Sequence, residues 1–144
     1  MTTPGPNHRV LLVREWDQQT TGASCCGRLE GGDSELSGAT DFRRARTDME
    51  RMGAVYRALA DELPREHVDI EIVDPRNLTF LLPGLLHDAR RRRGLGWREA
   101  FGQLRRGVAQ GAIVVDGSVV SAGRIPPPDV AVDLVLRALT PRAA

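Results

Sequence analysis

Val10-Leu11-Leu12-Val13 places four apolar residues in succession, with no polar residue to turn toward water. In an extended chain successive side chains point to opposite faces, so this run must be covered on both sides. Such a strand belongs in the interior of a sheet with helices over both faces, which points to an α/β protein. The strand is expected to begin at His8 or Arg9 and to end by Glu15.

The rest of the chain supplies elements of the right kind. From about Ser37, Phe42, Ala45, Met49, Met52, Tyr56, Leu59 and Leu63 recur at steps of three and four. That spacing puts them on one face of a long helix, which Pro64 ends. Met49 and Met52 therefore read as core, and Asp61-Glu62 as part of a solvated face. Val68, Ile70 and Ile72 alternate with polar residues, a second strand stopped by Asp74-Pro75. Leu78, Leu81, Leu82, Leu85 and Leu86 predict a helix interrupted or kinked at Pro83-Gly84. After Arg90-Arg91-Arg92-Arg93-Gly94, the residues Trp97, Phe101, Leu104 and Val108 restore helical spacing, and that spacing assigns the two aromatic rings to the core.

Residues 112–115 and 118–121 are apolar runs flanking Asp116-Gly117, a strong signal for a hairpin. Pro126-Pro127-Pro128 then lead into a last helix carrying Val130, Leu134, Val135 and Ala138, with proline suited to the first turn. The order is strand, helix, strand, helix, hairpin, helix. A right-handed parallel crossover joins the first two strands, and the hairpin makes the sheet mixed. One domain spans residues 8–140, between loose ends at 1–7 and 141–144.

Composition narrows the class. The chain has 144 residues, with 41% hydrophobic and 27% charged, a globular balance. A formal net charge of +1 argues against a protein built to wrap nucleic acid. No apolar run is long enough to cross a bilayer, and Met1-Thr2-Thr3-Pro4-Gly5-Pro6 lacks the blocks of a signal peptide, so the expected location is cytoplasmic. All 20 basic residues are arginine, which excludes Schiff-base and lysine general-base chemistry.

The one unusual chemical feature is Cys25-Cys26, in a polar stretch punctuated by Gly22, Gly27, Gly31 and Gly32. This connection, residues 17–35, is long for a compact domain. Successive Cα atoms lie about 3.8 Å apart across a trans peptide, whereas disulfides prefer roughly 4.4–6.8 Å. A bridge between adjacent cysteines is therefore strained and easily reduced, as suits a labile switch. Two adjacent thiolates can also chelate one soft ion: Cu(I), Zn(II) or trivalent arsenic. Zinc wants four ligands, which a symmetric homodimer would supply as four cysteines. Arg28 would steady thiolate charge, and Trp16 stands where it can line the cysteine pocket. The competing reading is of two inert, small hydrophobes packed in a loop.

The order βαβαββα, with cysteines between the first strand and first helix, resembles the thioredoxin-like fold, a three-layer sandwich around a mostly four-stranded mixed sheet. The run from Ile113 through Asp116-Gly117 to Gly123-Arg124-Ile125-Pro126 is similar to the hairpin and "GR-x-P" entry to the last helix in that fold. With adjacent cysteines, the nearest resemblance is to the arsenic metallochaperones and their small relatives. This implies thiol chemistry at Cys25 and Cys26. The chain has Gly31 where those proteins carry a third cysteine. Val108-Ala109-Gln110-Gly111-Ala112 also lacks the cis-proline that normally packs on the reactive sulfur, which counts against disulfide-exchange catalysis.

Other motifs carry less. Gly94-Leu95-Gly96 lacks the third glycine and preceding strand of a dinucleotide loop and reads as a turn. His8, His67 and His87 have no metal-ligand spacing and read as surface residues. The arginines at 90–93, 98, 105 and 106 read as a solvated helix end rather than an RNA patch. Three functions follow as expectations. The first is a thiol protein whose Cys25 and Cys26 bind a soft metal or metalloid or sense redox state. The second is a thiol–disulfide oxidoreductase with those cysteines catalytic. The third is a non-catalytic module that binds a protein partner through its helices.

Overall fold

The computed structural model describes residues 8–14 and 35–140, with the backbone alone over 35–45. Its elements are β1 (His8–Val13), α1 (Glu35–Glu62), β2 (Val68–Val73), α2 (Leu78–Arg91), α3 (Trp97–Gly107), β3 (Ile113–Val115), β4 (Ser118–Ser121) and α4 (Pro128–Leu139). The four strands form one mixed sheet in the order β2-β1-β3-β4. β1 runs parallel to β2, with His8 opposite Val68 and Val13 opposite Val73. It runs antiparallel to β3, with Val10 opposite Val115 and Leu12 opposite Ile113.

The apolar run of β1 is buried as its composition requires, and its two faces enter separate cores. Val10 and Leu12 join Ile113 and Val115 against Met52, Val55 and Leu59 of α1 and Ala131 and Val135 of α4. Leu11 and Val13 join Val114 and Val119 against Leu81 and Leu85 of α2, with Leu104 of α3 at the margin. Helices thus cover both faces of the sheet, each core filled by one set of alternating strand residues.

Two expectations about the helices need correcting. Proline 83 does not interrupt α2, which continues through it to Arg91. Pro83 is exposed and only one turn in, so the Thr79 carbonyl that loses its partner lies near an exposed helix start where water can serve it. The interruption comes instead at 92–96, where Gly94 takes φ +65° and separates α2 from α3. Trp97 and Phe101 are not core residues: they are 56% and 52% exposed, while Ala100 and Gly107 form the buried side of α3. The three-four spacing identified a helix correctly but not which of its faces turns inward.

The hairpin is as expected, and its turn packs closely on α2. Asp116 and Gly117 have φ of +50° and +80°, the pair of positive values that a two-residue type I′ turn requires. The turn presses on α2 so closely that a Cβ on Gly117 would lie 2.1 Å from the Ala89 nitrogen. Only glycine satisfies both demands. Gly117→Ala should destabilise the protein by about 3 kcal/mol, from added strain and overpacking against a backbone that cannot retreat. A urea titration should show the midpoint falling, while Gly102→Ala, at a site with open space around it, should leave it unchanged or slightly raised.

Candidate functional site

All four residues singled out in the sequence, Cys25, Cys26, Trp16 and Arg28, lie outside the described residues. The structure describes the strand end from which their segment departs. There three stretches of backbone are tied together. The Arg14 amide donates to the Val73 carbonyl at 2.9 Å, the Val13 amide to the Ala112 carbonyl at 2.9 Å, and the Gly111 amide to the Val13 carbonyl at 2.8 Å. Residues 15–34 therefore link the C-terminal end of the central parallel strand to α1. In open α/β sheets that strand end is where ligands bind.

The approach to β3 at this end is made by Gly111, not proline. Gly111 has φ +75°, and a Cβ there would sit 3.2 Å from the Ile125 side chain. No cis peptide bond occurs among the described residues. Beside Gly111 lies a groove between α1 and the connection from β4 to α4. It comprises two cavities of about 210 and 580 Å³ that share Arg51, Arg124 and Ile125. Asp48, Gln110 and Gly111 line one part; Ala54 and Pro126 to Pro128 line the other. Neither Arg51 nor Arg124 has an ion-pair partner among the described residues, and both are exposed at the groove.

A second polar cluster occupies the opposite end of β1. Asp88 and Asp116 are the buried acids of the described chain, at 2% and 5% exposure. Asp116 accepts hydrogen bonds from the Arg9 amide at 2.8 Å and pairs with His8 Nδ1 at 2.8 Å. Asp88 accepts from Arg9 at 3.4 Å and from Arg92 Nε at 3.2 Å. Arg9 also pairs with Glu71 across the parallel ladder. Burial alone would lower the Arg9 pKa, but Glu71 and then Asp88 outweigh it and raise it above the ordinary arginine value. A raised base keeps its contribution at every pH below its unfolded value, so Arg9 holds its charge throughout the working range.

This cluster holds the fold together. Its contacts tie the turn, α2 and β2 to the start of β1, and among the described residues no group of three or more His, Cys, Asp or Glu could hold a metal ion. His8 is thereby more than a solvated histidine, and His87 reaches Asp88 at 3.4 Å, whereas His67 is exposed. The cluster did carry a sequence signal: Asp88 continues the buried spacing of Leu81 and Leu85 at steps of four and three, an acid on an apolar stripe that demands a buried partner.

No family model, curated protein or solved structure matches the chain, and its own residues carry the functional reading.

Asp88→Ala should cost about 2–3 kcal/mol. That lies below the roughly 3–5 kcal/mol for breaking a fully buried pair, because the Arg9 and Arg92 side chains keep 17% and 29% of their exposure and can rehydrate. Denaturant unfolding measures the loss, and titration of the two thiols with a chromogenic disulfide in the native protein should not change.

Proposed function

We propose that the chain is a small thioredoxin-like thiol protein in which Cys25 and Cys26 bind a soft metal or metalloid or sense redox state. The observation that carries this reading is the place of the pair in the chain. It lies in the segment leaving the C-terminal end of a buried parallel strand, in a sheet ordered β2-β1-β3-β4 with helices on both faces. That strand order, the Asp116-Gly117 hairpin and the proline-led α4 support the thioredoxin-like assignment. The ligand preference of open α/β sheets for that strand end supports the assignment of the chemistry.

The donor set favours soft ions. Two adjacent thiolates suit Cu(I) or trivalent arsenic, and for zinc they are half of a tetrahedral set that a second copy of the chain would complete. Arg28 would offset thiolate charge, and Trp16 would shield the bound ion from water. As a redox sensor the pair would form one S–S bond, giving two protons and two electrons to an oxidant such as another disulfide. The strain of that bond would keep it readily reversible. Catalysed disulfide exchange is less well supported, because Gly111-Ala112 takes the place before β3 where a cis-proline would bind the partner segment.

Native mass spectrometry of the purified chain, with and without reductant and after exposure to Cu(I), Zn(II) and arsenite, tests this reading. The expected result is a one-ion adduct lost in Cys25→Ser/Cys26→Ser, or a loss of about 2 Da on oxidation that reductant reverses. Free thiols with neither adduct nor oxidation would overturn both forms of the proposal. The same spectra report whether zinc brings two chains together.

A further inference from the structure

The second half of the helical layer over Leu11 and Val13 carries an outward surface that the thiol reading does not use. Trp97 and Phe101 lie one turn apart on α3, each more than half exposed, with ring centroids 6.3 Å apart and planes within 29°. The Arg90 guanidinium lies over the Trp97 ring at 4.1 Å, a cation–π contact. Arg105 continues the line of Trp97 and Phe101 at a further step of four, and Arg98 and Arg106 flank it. None of these three arginines has an ion-pair partner among the described residues. Gly102, within the same face, has open space where a side chain would stand.

Two exposed aromatic rings on a monomer surface need an explanation when they adjoin, because isolated apolar residues are commonplace and contiguous patches are not. Aromatic residues with arginine are the side chains enriched where partner proteins bind tightly, with the rings supplying buried area and the guanidinium groups supplying charge and direction. Residues 90–107 contain seven arginines and a single acid, Glu99. The charge around the rings is therefore strongly positive, although the whole chain is nearly neutral. A sequence pI of about 7.9 provides no general field for a polyanion such as RNA. A local cation rim around a two-ring apolar centre instead fits a short acidic segment that carries its own apolar anchors.

We infer that Trp97, Phe101, Arg98, Arg105 and Arg106 on α3, with Arg90 behind them, form a docking surface for an acidic amphipathic segment of a partner protein. The acidic residues would pair with the free guanidinium groups, and a leucine or aromatic side chain would seat on the two rings. This surface lies on the layer over Leu11 and Val13 and contains none of the residues that the thiol reading uses.

Fluorescence anisotropy on the full chain tests the inference, with a fluorescein-labelled helical peptide of alternating Glu-Glu and Leu-Leu pairs. The expected result is saturable binding, weakened about 10-fold or more by Trp97→Ala and equally by Arg98→Glu/Arg105→Glu. The Cys25→Ser/Cys26→Ser variant should bind like the unaltered chain, and a peptide with lysine in place of glutamate should not bind. Trp97, Arg98, Phe101 and Arg105 are all exposed, and unchanged circular dichroism with a Phe101→Ala variant as a second check separates lost docking from lost fold. Absence of saturable binding, or binding that survives all three surface variants, overturns the inference. So does tighter binding of a single-stranded oligouridylate, which would make the surface a nucleic-acid platform. Concentration-dependent self-association that Trp97→Ala abolishes would also overturn it, since the covering partner would then be a second copy.

Discussion

Val10 and Leu12 on one face of β1, and Leu11 and Val13 on the other, can leave water only if helices pack on both sides of the sheet at once. Each side chain of this kind contributes about 1.5–3 kcal/mol when fully buried, and all four are buried completely or nearly so. Among the described strands, β1 alone has a parallel neighbour on one side and an antiparallel one on the other. The order of helices along the chain follows from this. α1 and α4 take one face, α2 and α3 take the other, and the short strands β3 and β4 complete the ladder.

The ends of β1 differ in kind. At its N-terminal end, Arg9 serves Asp116, Asp88 and Glu71 together, so one arginine joins the turn, α2 and β2. Gly117 then rests against Ala89 with no space to spare. At its C-terminal end the contacts are backbone hydrogen bonds to Val73, Ala112 and Gly111, bordered by a groove with Arg51 and Arg124. Specific side-chain pairing is concentrated where no ligand is expected. The end from which the cysteine segment departs is tied by backbone hydrogen bonds to Val73, Ala112 and Gly111.

Local signals with steric causes were legible in the sequence. The apolar run of β1, the Asp-Gly turn, the alternation in β2 and the proline entry to α4 each have one physical solution, and the structure adopts it. The α1 stripe was legible through Met52, Leu59 and Leu63, although Val55, equally buried, fell outside it. Side-chain direction was not legible where spacing permits two faces. On α3, small residues (Ala100 and Gly107) turn inward and let the helix sit close to α2, with the Gly107 position against Leu85, and the bulky rings are left outside. Proline 83 misled for a related reason, since its effect depends on whether water can reach the carbonyl it orphans. The candidate thiol site was legible only as chemistry, two sulfurs side by side, because spacing and composition define donors but not their surroundings.

The two ends of the described core meet at the clamped pole. His8 is bound to Asp116, Arg92 reaches the same carboxylate, and its neighbour Arg93 donates to the Ala138 carbonyl near the end of α4 at 2.6 Å. A tether attached at His8 or Thr140 would thus start from the side away from the C-terminal end of β1. Immobilised in this way, the chain would turn the C-terminal end of β1 away from the support, and the closeness of the two described ends is what joining them by a short linker requires.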